Sequence, residues 1–246
     1  MTPTRQPLPE AFIFGQSVQG RDLRARRIGD GQQLIMLVGG IHGGAEVNTV
    51  TLVEALQNHF EDNPAQILPD ISLLFVPQLN PDGVALGQTA AGRFNANGVD
   101  LNRNWACDWQ EEAFFRETPV GAGSAPFSEP ETLALGALIN DLRPALVLFY
   151  HSAADGVFAG SCGSSGGVSD EMAAVLGQAT GYPYGQTFSA YTVTGTAPGW
   201  VDSLGIPAAD VELSTANDIE FERNLRGVIA VQCWVLDFPQ AISVCR

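Results

Sequence analysis

The chain has 246 residues, 45% apolar and 16% charged, the balance of a globular protein long enough to bury a large α/β core and not that of a disordered one. Its formal net charge is −15 and all twelve basic residues are Arg, so its surface should repel nucleic acid and anionic membranes, and neither is expected as a partner. No apolar run reaches the roughly 20 residues that cross a bilayer.

Residues 1–10 carry prolines but no apolar stretch of the kind that heads a signal sequence. The expected location is therefore the cytoplasm, or outside it if a leader has been removed. Arg21, Arg24, Arg26 and Arg27 cluster early and read as a solvated strand edge in preference to a binding patch. Residues 33–40 form a continuous apolar run closed by glycines, the pattern of a strand buried on both faces. A helix is predicted over 47–60 from the stripe Val50, Leu52, Val53, Leu56 and Phe60. Residues 71–79 give a second buried strand, and Asn80-Pro-Asp-Gly a turn. Ser128-Glu-Pro-Glu has the form of a capping box opening a helix to about Leu142. Residues 145–150 make a third strand that His151 ends. A helix over 169–180, a strand over 208–213 and a helix capped by Asn217 and running to about Leu236 complete the pattern. Strands alternate with helices without repeat or linker. The expectation is one domain over 1–246, a three-layer α/β/α sandwich with a mixed, mostly parallel central sheet.

Four cysteines, Cys107, Cys162, Cys233 and Cys245, include no Cys-x-x-Cys pair, so a thiolate zinc site is not expected. A bridge between Cys107 and Cys162 is conceivable, and four free thiols remain the alternative.

Ligands in open α/β sheets bind beyond the carboxyl ends of strands. His42, Asn80, His151 and Glu212 all fall near such ends. The glycines of Gly39-Gly-Ile-His-Gly-Gly-Ala-Glu46 let the backbone turn sharply, so His42 and Glu46 can point at one spot. Two histidines and a carboxylate with an open fourth position suit a catalytic Zn2+. Asp100 could accept the second ring N–H of a ligand histidine. The Asn- and Gly-rich segment 93–105 reads as an ordered loop presenting Arg93 and Arg103, whose planar forks suit carboxylates and oxyanions. Each residue has a plainer reading when taken singly: His151 as a satisfied core histidine, Glu46 as ordinary helix-start charge, Glu212 as a surface carboxylate, Arg103 as a structural ion-pair partner. Trp105, Trp109, Phe114 and Phe115 read as packing for the loop.

The Gly-Ile-His turn, Asn80-Pro-Asp-Gly, Gly98-Val-Asp-Leu-Asn-Arg-Asn-Trp105, His151-Ser152 and Val211-Glu-Leu together resemble, in order along the chain, the zinc carboxypeptidases related to carboxypeptidase A. The resemblance implies that His42, Glu46 and His151 ligate zinc and that Glu212 is the general base. It implies that Arg93 stabilises the oxyanion, that Asn102 and Arg103 hold a terminal carboxylate, and that Tyr191 closes over the substrate. One departure stands out: the family spacing His-x-x-Glu would put the ligand at Ala45, whereas this chain has His-x-x-x-Glu.

The implied activity is hydrolysis of a C-terminal amide bond, on a peptide or muropeptide with a free C-terminal carboxylate. Counting from Tyr191 to Trp200 places the family's specificity position near Pro198, so an apolar or small terminal residue is expected. Murein peptide amidase, N-acyl amino acid deacylase and a metal-free binding module are the alternatives.

Overall fold

The computed structural model describes residues 8–163, 167–185, 188 and 190–237. Seven strands form one sheet: β1 (Ala11–Gln16), β2 (Asp22–Ile28), β3 (Gln33–Val38), β4 (Ile71–Val76), β7 (Leu146–Ser152), β8 (Gly156–Ala159) and β9 (Ala208–Leu213), in the order β1-β2-β4-β3-β7-β9-β8. The central strands β4, β3, β7 and β9 are parallel. The edges, β1 with β2, β2 with β4, and β8 with β9, are antiparallel. A hairpin of β5 (Glu112–Phe115) and β6 (Thr118–Gly121) stands apart.

The period of two along each central strand separates two cores. Ile35, Leu37, Leu73, Phe75, Leu148 and Val211 face one side, where α1 (Asn48–Asp62), α4 (Ser169–Thr180) and α6 (Phe221–Val235) supply Leu52, Met172 and Val228. Met36, Val38, Leu74, Val76 and Phe149 face the other, where α3 (Pro130–Leu142) and α5 (Ala197–Ser203) supply Leu135, Ile139 and Val201. This is the expected α/β/α sandwich. Burying both faces of these strands is what their unbroken apolar runs require.

Several local expectations are corrected. Asn80 is the cap of a short helix, α2 (Pro81–Val84), its Oδ1 accepting from the Gly83 N–H at 2.9 Å, where a turn was expected. Ser128 does not cap α3. Its hydroxyl donates to Glu129 Oε1 at 2.7 Å, and the helix begins after Glu129. Asn217 does not cap α6 either, because the segment before it is spent on a turn. The Thr215 hydroxyl accepts the Asp218 N–H at 3.1 Å, and the Glu220 carboxylate takes the Tyr182 hydroxyl at 2.7 Å. Cys107 and Cys162 form a disulfide with Cα atoms 5.7 Å apart. Cys233 is also disulfide-bonded, so the four-thiol alternative does not hold; Cys245 lies outside the described residues.

Candidate active site

The site begins where β3 runs out. Gly39 and Gly40 turn the chain under α1, and Gly40 has φ +58 with no room for a Cβ beside Val50. After His42 the chain turns again. A Cβ on Gly43 would lie 2.6 Å from the backbone of Gly83, and Gly44, at φ +63, would put one 2.5 Å from the Thr89 carbonyl oxygen. Only glycine fits both conditions. The single 3-10 turn Gly44–Glu46 then absorbs the extra residue of the His-x-x-x-Glu spacing and delivers Glu46 to the histidines.

His42 Nδ1 lies 2.9 Å from Glu46 Oε1, and His151 Nδ1 lies 3.1 Å from Glu46 Oε2. The ring centroids are 5.1 Å apart, and all three residues are buried. One donor atom from each falls within 4.8 Å of the others. A tetrahedral ion with bonds of about 2.1 Å needs donors about 3.4 Å apart, so two imidazoles and this carboxylate fit a zinc-type ion. The other ring nitrogens each face a carboxylate, hydrogen-bonded at His42 and at ion-pair distance only at His151. His42 Nε2 faces Asp100 Oδ1 at 2.8 Å, and His151 Nε2 faces Asp210 Oδ1 at 3.2 Å. Such bracing leaves both Nδ1 atoms for the ion.

The electrostatics favour a cation at this point. Burial alone would raise the Glu46 carboxyl, but His42 and His151 outweigh it and hold the group well below its usual range. Burial would likewise depress His151; the Asp210 and Glu46 carboxylates reverse that and raise it well above the usual imidazole value. Burial opposes ionisation of Asp100 too, yet Arg93 and His42 keep its carboxyl well down.

Arg93 donates from Nε and Nη2 to Asp100 Oδ2 at 2.9 and 2.7 Å, and from Nη1 to Glu46 Oε1 at 3.0 Å. Its guanidinium carbon sits 3.9 Å above the centroid of the Phe115 ring, a cation–π contact supplied by the β5–β6 hairpin. Asn102 Oδ1 accepts from the Ala197 N–H at 2.8 Å, tying the loop to the start of α5. Arg103 is fixed by the Phe114 and Asn102 carbonyls, at 3.1 to 3.2 Å and 2.7 Å, and its charge lies beside the Tyr191 phenol. Tyr191 stands edge-on to Phe115, with centroids 5.8 Å apart.

Glu212 pairs in register with His151 across β7 and β9, and its Oε2 accepts from the Ala154 N–H at 3.1 Å. Burial, opposed by His151 and reinforced by Glu46 and Asp210, pushes its carboxyl up to about 7. A carboxylate poised near neutrality suits proton transfer.

All eight candidates, His42, Glu46, Arg93, Asn102, Arg103, His151, Tyr191 and Glu212, line one cleft of about 880 Å³. The sequence reading missed Asp210. Its signal was the period of two: Asp210 shares a face of β9 with Glu212, an acid set in an otherwise apolar strand. Phe115 was read as loop packing and instead carries Arg93.

A zinc carboxypeptidase family model matches residues 6–226. The chain belongs to this family. Among curated relatives, murein peptide amidase A of Escherichia coli strain K12 is 37% identical over 127 residues, 47% of this chain and 48% of that protein. Carboxypeptidase B of Astacus astacus is 31% identical over 137 residues, 48% of this chain and 45% of that protein. The chain thus matches about half the length of these relatives. The crystal structure of murein-tripeptide amidase MpaA from Escherichia coli O157 superposes with a TM-score of 0.64 at 25% identity, covering 92% of this chain and 93% of that one. Among the described residues no helix is long and apolar enough to cross a membrane.

Proposed function

We propose that the chain is a zinc-dependent metallocarboxypeptidase that removes the C-terminal residue of a peptide. The observation that carries this reading is the direction of two Nδ1 atoms onto one carboxylate, with Glu212 beside them and two guanidinium groups in the same cleft. A zinc ion held by His42, Glu46 and His151 would supply an acidified water and a Lewis acid for the scissile carbonyl. Glu212, near pKa 7, would serve as the proton acceptor and donor beside that ion, since a carboxyl there can hold or release a proton near neutrality. Arg93 meets the negative charge that grows on the carbonyl oxygen. Arg103 and Asn102 take the terminal carboxylate, whose two oxygens match a guanidinium fork. Tyr191, edge-on to Phe115, covers the bound residue and excludes water.

The second reading is a murein peptide amidase. Similarity to two proteins of that name favours it, and the same groups would act on a γ-linked amide. The Cys107–Cys162 disulfide supports an oxidising compartment over the cytoplasm.

A digest of a peptide library and a muropeptide by the zinc-loaded protein, followed by mass spectrometry, tests both. Stepwise loss of C-terminal residues supports the carboxypeptidase. Cleavage of the muropeptide alone supports the amidase. No cleavage of either, with zinc bound stoichiometrically, overturns the proposal.

A further inference from the structure

The turn that follows β7 passes Glu212 on its way into β8. Its residues Ala153, Ala154 and Asp155 are exposed, and the two alanines line the cleft. They offer no apolar side chain large enough to fasten the turn to the protein. The Ala154 N–H nevertheless donates to Glu212 Oε2 at 3.1 Å. A hydrogen bond from an exposed turn is no firmer than the turn itself. What holds the turn therefore decides how firmly this carboxylate is aimed.

Two contacts hold it. The Asp155 N–H donates to the Leu213 carbonyl at 3.3 Å, and Asp155 Oδ1 accepts the Ser214 hydroxyl at 2.6 Å. The alanines have no polar side chain, so Asp155 is the only side chain of the turn able to make such a bond. Asp155 itself takes a left-handed φ of +49, which Asp tolerates better than most residues.

Ser214 is fixed from the opposite side. Its N–H donates to Glu220 Oε1 at 2.7 Å, and its hydroxyl accepts from Arg223 Nη1 at 2.8 Å. Arg223, in the first turn of α6, also donates to Glu220 Oε2 and to the Thr180 and Gly181 carbonyls at the end of α4, each at 2.8 Å. Its guanidinium carbon lies 3.5 Å from the centroid of the Tyr182 ring, and Tyr182 gives its hydroxyl to Glu220 Oε2 at 2.7 Å. The same guanidinium stands 3.7 Å from Asp155 Oδ1. Glu220 holds a left-handed φ of +46, which its Cβ disfavours, and such a backbone persists where several contacts over-determine it. Burial would raise the Glu220 carboxyl, but the bonds from Tyr182 and Arg223 outweigh it and keep the group low, charged for all its donors. A line of short contacts thus runs from two packed helices to an exposed turn, and ends on Glu212.

We propose that Asp155 is a positioning residue for Glu212: through Ser214 it fixes the turn, and through the Ala154 N–H the turn engages Oε2 and leaves Oε1 for the proton. The proposal rests on the reading of Glu212 as the base. Asp155 acts only on the placement of that carboxylate, and small misplacements of a reacting group slow a reaction without weakening substrate binding. The role needs an acceptor oxygen at this place, which Asn retains and Ala lacks.

Two measurements on the intact protein decide the matter. Hydrogen exchange at the Ala154 amide, followed by NMR, needs no turnover. It is expected to be about tenfold slower in the wild type and in Asp155→Asn than in Asp155→Ala or Ser214→Ala, the factor one hydrogen bond contributes. In the zinc-loaded protein, Asp155→Ala should lower kcat about tenfold with KM and zinc content unchanged, and Asp155→Asn should stay within about twofold of the wild type. The double variant Asp155→Ala/Ser214→Ala should lose no more than either single one, because both break the same contact. An unprotected Ala154 amide in the wild type, protection that survives Asp155→Ala, losses that add in the double variant, or an unchanged kcat where protection is gone overturns the proposal. If the wild type hydrolyses no peptide but the Ala154 amide responds as expected, the hydrolase reading has failed and the hold of Asp155 on Glu212 stands.

Discussion

His42 and His151 offer the same atom to the same carboxylate, yet the acids behind them are built differently. Asp100 is fully buried. Its Oδ2 takes two donors from Arg93, and its Oδ1 takes the Asn102 N–H at 3.0 Å besides facing His42 at 2.8 Å. Asp210 keeps an 18% exposed side chain; its Oδ1 lies 3.2 Å from His151 Nε2 and its Oδ2 takes one long contact, 3.5 Å, from Asn102 Nδ2. One acid is saturated by the protein, and the other is left open toward a cavity. The difference teaches that two carboxylates facing equivalent histidines can be bound by the protein to very different degrees, which their remaining partners show.

The largest expected effect lies between the two braces. Glu212→Gln removes the proton acceptor while keeping its shape, and should lower kcat by about 10²- to 10⁴-fold, with zinc content by metal analysis unchanged. Wild-type turnover in that variant would place the base elsewhere. Next comes the saturated brace itself. Asp100→Ala strips the partner from both His42 and Arg93. Zinc affinity should fall about 10- to 100-fold, and unfolding in denaturant should show a loss of about 3–5 kcal/mol, the cost of leaving a buried charge unpaired. Asp210→Asn should lose less on both counts, because it breaks weaker contacts. Equal losses in the two variants would erase the distinction between the braces.

A smaller effect is expected at the carboxylate clamp. Arg103 is held by the Phe114 and Asn102 carbonyls, so its position does not depend on a substrate. Arg103→Ala should raise KM about tenfold or more for peptides with a free C-terminus and leave amidated peptides nearly unaffected. Equal change in both would remove the clamp role.

Much of this was legible in the sequence. The buried strands wrote themselves as apolar runs because both faces are covered, and most site residues fell at or just past a strand end or in the segment 93–105, Tyr191 being the exception. The hairpin of β5 and β6, the edge strand β8 and the helix α5 were not legible. They are short, and Gly, Pro and charged residues interrupt their periodicity. Glu46 was ambiguous in sequence for a geometric reason: whether an extra residue fits depends on how tightly Gly43 and Gly44 pack on the backbones of Gly83 and Thr89. Asp210 escaped because its meaning comes from what surrounds it, a histidine ring on one side and unfilled space on the other.

The finest test uses pH. Glu212 must be ionised to take a proton, so kcat/KM should follow its ionised fraction and fall as pH drops through its pKa. With the carboxyl near 7 in the protein alone, the fall between pH 7 and pH 6 is about fivefold; a bound dication, being positive, moves this limb toward lower pH. Burial is the main cause of the elevation, and the negative charge of Asp210 adds to it, whereas Asp100 is not among the largest influences on Glu212. Removing a neighbouring negative charge eases ionisation. Asp210→Asn should therefore shift the acid limb to lower pH, and in Asp100→Asn, assayed with saturating zinc, the limb should stay where the wild type has it. A pH–rate profile of the three proteins reads this directly. If the limb moves equally in both variants, or moves upward in Asp210→Asn, the open carboxylate is not coupled to the base and the two braces are electrostatically alike.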